Sequence, residues 1–173
     1  MNKHKLLSVL IVAFLGAVIL RTFVVEGFIV IGDSMEPAIK SGEYVFVNKL
    51  GYAWSEPKRG DVVVARPRGM DQKVIKRIIG LPMERISIEN GKVVIREGRL
   101  DEGVVLEEIY LNVSETASSG ISHINLDPGE YFALGDNRQV SIDSRELGPI
   151  DRWDIRGKVI GSLNLVHLIY KGF

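Results

Sequence analysis

Apolar and polar positions along the chain fall into two regimes. A short basic start, Met1–Lys5 with Lys3 and Lys5, opens onto Leu6–Leu20, fifteen residues without a charge. As a helix that run spans about 22 Å, less than a hydrocarbon core of about 30 Å. Apolar character resumes after Arg21 in Thr22–Val25. Counted from Leu6 to Val25, twenty residues carry one charge, which is long enough to span. Arg21, near one end, can snorkel to the interface. The pattern predicts a transmembrane anchor over residues 1–25. A cleaved signal peptide and a buried core helix are the competing readings, with Val25-Glu26-Gly27 as a passable cleavage site. Lys3 and Lys5 predict a cytoplasmic N-terminus with the remainder, 26–173, outside.

After Gly27 the pattern shortens to strands. Phe28–Ile31, Glu43–Val47, Asp61–Ala65, Lys73–Ile79, Tyr131–Leu134 and Lys158–Ile160 are short runs rich in β-branched and aromatic residues, as strands require. Ile86–Ile88 and Val93–Ile95 flank Asn90-Gly91, a pair that takes the positive φ angles of a type I′ turn at low cost. Ser114–Ser122 reads as an exposed loop, and no long helix is expected after the anchor. Many short strands with turn signals predict a mainly β, antiparallel, barrel-like domain.

Composition narrows the chemistry. The 173 residues contain no cysteine and three histidines, with 22 basic residues against 22 acidic ones. A thiol nucleophile, a disulfide framework and Cys-ligated zinc are excluded. Zero net charge argues against broad nucleic-acid binding. The balance is uneven, because the anchor end is basic and the rest slightly acidic. With no His cluster and no acidic loop of ligand spacing, no metal and no cofactor are expected.

Three segments carry the candidate chemistry: Gly32-Asp33-Ser34-Met35-Glu36-Pro37, Lys76-Arg77-Ile78-Ile79-Gly80-Leu81-Pro82, and Gly135-Asp136-Asn137-Arg138-Gln139-Val140-Ser141-Ile142-Asp143-Ser144-Arg145. Each alone reads as turn chemistry. On a strand, Lys76 shares a face with Val74 and Ile78, amid apolar neighbours. Desolvation there disfavours the ammonium and lowers its pKa, so the amine can act as a general base. A snorkelling surface lysine is the bland alternative. A serine nucleophile needs such a base. His4 precedes the anchor, His123 falls in a polar loop and His167 in an apolar C-terminal run. A Ser–Lys dyad is therefore the better arrangement, with His167 as the fallback base.

In this order and spacing the segments resemble the motifs of bacterial type I signal peptidase, the membrane-bound serine protease that removes signal peptides. The resemblance covers nearly the whole chain and adds Arg59-Gly60-Asp61-Val62-Val63 between the first two segments. It implies Ser34 as nucleophile, Lys76 as base, and Ser141 orienting the Lys76 amine. It implies Asp143 and Arg145 as an ion pair beneath the site, Arg77 paired with a carboxylate such as Asp136, and Met35 packed beside the nucleophile. Exported preproteins and the lipid bilayer are the implied partners, nucleic acid is not, and a monomer is expected. The implied substrate lies extended against Phe28–Ile31 and Lys73–Lys76, with small residues seated among Val30, Ile31, Met35, Ile39, Val74 and Ile75. Three departures stand out. Gly32 replaces a serine that supplies an oxyanion donor in some members. Met83-Glu84 replaces a common Gly-Asp. The insertion between the second and third segments is short, so the large accessory β domain of some relatives is not expected.

Other classes compete. A LexA-like self-cleaving regulator shares a Ser–Lys dyad but needs a DNA-binding domain and an internal Ala-Gly site, and the chain has no Ala-Gly pair. A specialised processing peptidase and a catalytically inactive anchored homologue remain as alternatives. Tyr52, Trp54 and Trp153 suit a lipid interface, and core packing is an equal alternative for Trp153. Arg59-Gly60-Asp61 reads as a turn, and Asn112-Val113-Ser114 as a formal glycosylation acceptor.

Overall fold

The structure is a computed structural model that describes residues 3–19, 24–98, 102–111 and 120–164. The chain opens with helix α1, Lys3–Ile19, whose apolar side chains from Leu6 to Val18 are exposed. Seventeen residues give about 25 Å of helix. Among the described residues no helix is long and apolar enough to cross a membrane. Arg21 and Thr22 lie outside the described residues.

Eleven strands follow among the described residues: β1 Val25–Ile29, β2 Tyr44–Asn48, β3 Val62–Ala65, β4 Val74–Gly80, β5 Arg85–Glu89, β6 Lys92–Arg96, β7 Val104–Val105, β8 His123–Asn125, β9 Glu130–Leu134, β10 Ile150–Asp151 and β11 Ile155–Leu163. A one-turn helix α2, Ser144–Leu147, sits between β9 and β10. All pairings are antiparallel. One seven-stranded sheet runs β1-β2-β11-β3-β4-β9-β10, and a four-stranded sheet runs β7-β6-β5-β8. The result is the expected mainly β fold, an antiparallel half-barrel behind an N-terminal helix. The insertion between the second and third motifs forms the small sheet. Its β5–β6 hairpin turns at Asn90 and Gly91, with φ of 50° and 73°, as a type I′ turn demands.

Differences from the sequence reading lie at element ends. β1 begins at Val25 and stops at Ile29, so Ile31 lies beyond it and is 94% exposed. His123 sits on a strand, not in a loop, and is exposed. Trp153 lies in a 3-10 turn and is 80% exposed, so it is not a core residue; Trp54 is exposed too. The Ser114–Ser122 loop falls largely outside the described residues, as do Asn112 and His167.

Alternation along β4 sorts its side chains. Ile78 and Val74 pack with Tyr52, Val63, Ala65, Tyr131 and Ala133. Ile75 faces the opposite way, into a second cluster with Val30, Met35, Ile39, Val45 and Val47. Ile79 joins a third, with Ile86, Val93 and Phe132, that seats the small sheet. Burying one such side chain contributes roughly 1.5–3 kcal/mol, so β4 is pinned on both faces and Lys76 has little freedom to move.

Candidate active site

Lys76 enters the site from the middle of β4, in register with Val63 of β3. Only 3% of it is exposed. Its Nζ donates to Ser141 Oγ at 3.0 Å. Burial drives the Lys76 amine below the ordinary lysine range; Asp143 and Asp136 pull it partly back up and Arg145 pushes it down. A snorkelling surface lysine is inconsistent with this placement.

Ser34 is half-buried and lines the same cleft as Lys76. It sits in the turn after β1, where Met35, 1% exposed, plugs the apolar cluster beneath and fixes the turn. The third motif grips this turn through Asn137 N–H, which donates to Ser34 O at 3.0 Å. Gly135 lies between the two. A Cβ there would stand 2.2 Å from Ser141 Oγ and 2.5 Å from Ser34 O, closer than any side chain tolerates. The motif needs glycine at this point because two functional segments close over it. In the structure the amine's hydrogen bond goes to Ser141 and not to Ser34.

Two buried ion pairs form the floor. Arg145 grips Asp143 with Nε to Oδ1 at 2.8 Å and Nη2 to Oδ2 at 2.9 Å, with side chains at most 2% exposed. Asp143 also accepts from Gly135 N–H at 3.0 Å and caps α2. Burial alone would raise the Asp143 carboxyl; the Arg145 and Gly135 bonds outweigh it and hold the carboxyl below its usual range. Arg77 points away from Lys76 and binds Asp136 bidentately, at 2.8 and 2.6 Å.

A further pair, Arg138–Glu108, was not visible in the sequence pattern. Arg138 Nε donates to Gly135 O at 3.0 Å, and its guanidinium grips both oxygens of Glu108. The Tyr110 ring lies 4.1 Å from the Arg77 guanidinium, and its hydroxyl donates to Glu108 at 2.7 Å. The segment after β7 thus holds Arg138 and packs on Arg77 of the floor. Glu108 lies thirty residues from Arg138, outside any motif, so no local signal marks it.

The cleft, about 540 Å³, has two walls: Glu26, Phe28, Ile29, Val30, Ile31, Ser34 and Met35 on one side, and Gln72 through Lys76 on the other. Five of the six predicted lining residues are there: Val30, Ile31, Met35, Val74 and Ile75. Ile39 does not line it and lies 5% exposed in the cluster behind. β9 pairs with β4 only from Arg77 onward, so Val74–Lys76 have β3 on one edge and the cleft on the other. β1 pairs with β2 alone among the described strands. Two unfilled strand edges therefore flank the cleft.

The departures have local causes. Gly32 has φ +105°, which L side chains rarely adopt, so serine would be strained there. Its N–H donates to Ser41 Oγ at 3.1 Å. Met83 takes φ 69°, in the left-handed region that favours glycine. Glu84 accepts from Leu81 N–H at 2.8 Å and from Arg59, so the Arg59-Gly60-Asp61 turn is tied by an ion pair to the turn after β4. Among the described residues, no group of three His, Cys, Asp or Glu could hold a metal ion.

Residues 3–163 match the family model described as signal peptidase, peptidase S26. The chain is similar to signal peptidase I P of Bacillus subtilis subsp. natto, 33% identical over 158 residues, covering 87% of this chain and 83% of that protein. It is similar to signal peptidase IB of Staphylococcus aureus, 34% identical with 86% and 82% covered. A crystal structure of a signal peptidase I from Enterococcus faecalis is 30% identical, covering 60% of this chain and 97% of that one, with a TM-score of 0.49. Matched across nearly its whole length, the chain belongs to the signal peptidase family, peptidase S26.

Proposed function

We propose that this signal peptidase, which removes signal peptides from secreted preproteins, works through a Ser34–Lys76 dyad. The observation that carries the reading is the buried Lys76 amine, held by Ser141 at 3.0 Å in a cleft that Ser34 also lines. The preprotein lies extended between the free edges of β1 and β4 and adds a strand through backbone hydrogen bonds. Small side chains before the cut seat against Val30, Met35 and Ile75.

Lys76 Nζ accepts the Ser34 Oγ proton as the oxygen attacks the scissile carbonyl. The Ser34 N–H supplies one donor to the developing oxyanion. The C–N bond breaks, the new amino terminus takes the proton from the Lys76 ammonium, and the signal peptide stays as an ester on Ser34. Lys76 then takes a proton from water as the water attacks the ester, and returns it to Ser34 Oγ as the bond from that oxygen to the carbonyl carbon breaks. Asp143 and Arg145 hold Ser141, which aims the amine.

Membrane anchoring is a property of the family, and an N-terminal helix is present. We assign α1 with the residues that follow as a single-pass anchor, with residues 1–25 as the membrane unit, 26–173 as the extracytoplasmic unit and Lys3 and Lys5 on the cytoplasmic side. Its exposed apolar side chains support this, since among the described residues none joins an apolar cluster of the β domain. Anchoring confines enzyme and substrate to one surface and raises their effective concentration.

Ser34→Ala and Lys76→Met should each lower kcat on a detergent-solubilised preprotein by at least about 10³-fold with the fold intact, losing nucleophile or base. Full cleavage by either variant would overturn the dyad.

A further inference from the structure

The cleft does not run open at its outer end. Lys73 Nζ meets Glu26 Oε1 at 2.5 Å, joining the two walls across the gap. Lys73 also stands 5.9 Å from the Phe28 ring centre, so its side chain leans over β1. The pair is no fold-holding contact of the buried kind: the Lys73 and Glu26 side chains are 41% and 35% exposed.

Its place in the alternation gives it meaning. Phe28 and, two residues back, Glu26 share one face of β1, and Val30, just past the strand's end, joins Phe28 in the apolar cluster under the cleft. A substrate strand laid along this edge also alternates every second residue. Moving away from Ser34, its first, third and fifth residues before the cut turn inward, meeting Val30, then Phe28, then the Glu26–Lys73 pair. The fourth turns outward.

We propose that Glu26 and Lys73 determine specificity at the fifth residue before the scissile bond, forming a charged latch that favours an uncharged residue there. The proposal rests on the strand-addition reading above. With the latch intact, a charged substrate residue must break one ion pair to form another, so acid and base are both disfavoured. Removing one partner leaves the other charge unmatched and turns the site into a selector for the opposite sign.

The test uses the full chain in detergent and three peptides that differ only in Asp, Gln or Lys at the fifth position. The wild type should cleave Gln best. Lys73→Gln should cleave the Lys peptide about two- to fivefold better than the Asp peptide in kcat/KM, and Glu26→Gln should reverse that order, the range expected of an exposed ion pair. The same substitutions at the fourth position should change nothing. Fifth-position preferences equal in wild type and both variants would overturn the latch while leaving the dyad standing. Cleavage surviving in the Ser34→Ala control would instead overturn the dyad reading. A mere structural role would lower all three peptides alike and would not invert their order.

Discussion

Lys73 and Lys76 stand three residues apart, at the outer and inner ends of one groove. The outer amine is partly exposed and meets a carboxylate, Glu26. The inner amine is 3% exposed and meets a hydroxyl, Ser141. The residue type is the same and Lys73 leads directly into the strand that carries Lys76, so the difference lies in burial and in the partner. A carboxylate beside Lys76 would offset the desolvation that lowers its pKa and return it to an inert cation. The floor avoids this by giving its carboxylates to other cations. Asp143 goes to Arg145 and Asp136 to Arg77, and Lys76 keeps a neutral neighbour.

The sharpest way to break that arrangement is to free one carboxylate. Arg145→Met leaves Asp143 buried without its guanidinium, and removing one partner of a buried pair costs about 3–5 kcal/mol. Urea unfolding should show this loss. Asp143→Asn with Arg145→Met should cost less than the two single losses added, because no charge is then stranded. A single-variant loss below about 1 kcal/mol would mean the pair is not what holds the floor. The Asp143 contribution is also acid-sensitive. Its carboxyl lies below the ordinary range when folded, so its stabilisation is present above about pH 3.9 and disappears as pH falls through the folded value.

The pH profile tests the same comparison at smaller amplitude. In the proposed dyad the base works when neutral, so kcat/KM should rise with pH as Lys76 loses its proton, below the free-lysine value of about 10.4. Asp143 pulls the amine up and Arg145 pushes it down. Asp143→Asn should therefore move the rising limb to lower pH, and Arg145→Met to higher pH. Shifts in the same direction would show that general loosening, and not charge, is being read. Stability runs with the sign of a depressed lysine: between the folded and unfolded values the unfolded chain binds the extra proton, so the fold gains with rising pH.

Much of this was legible in the sequence, and the reasons are local. Val62–Ala65 and the Asn90-Gly91 hairpin carry their period and turn chemistry within a few residues. The apolar neighbours of Lys76 announce desolvation before any fold is known. What escaped depends on distant chain. β7 and β10 are two residues each, too short for a period. Glu108 matters through Arg138 and Gly135, a contact made only by folding. Ile39 is implied in the pocket by the resemblance, but it packs into the apolar cluster behind the cleft, a burial that depends on Val45 and Val47 of another strand. Trp153 reads equally as an interface or a core residue in the sequence, and it lies exposed in a 3-10 turn.

The smallest effect closes the comparison at the outer lysine. If burial and partner, and not residue type, distinguish the two, then loosening Lys73 should cost the fold almost nothing. Exposed ion pairs contribute about 0.2–1 kcal/mol, and salt screens them. Lys73→Gln and Glu26→Gln should each shift unfolding by no more than about 0.5 kcal/mol in moderate salt. A loss above about 2 kcal/mol would make the pair a clasp between β1 and β4, and the two ends of the groove would then differ in exposure but not in purpose. A near-zero loss would leave the outer pair free to exchange partners with a charged substrate residue, as the inner floor cannot.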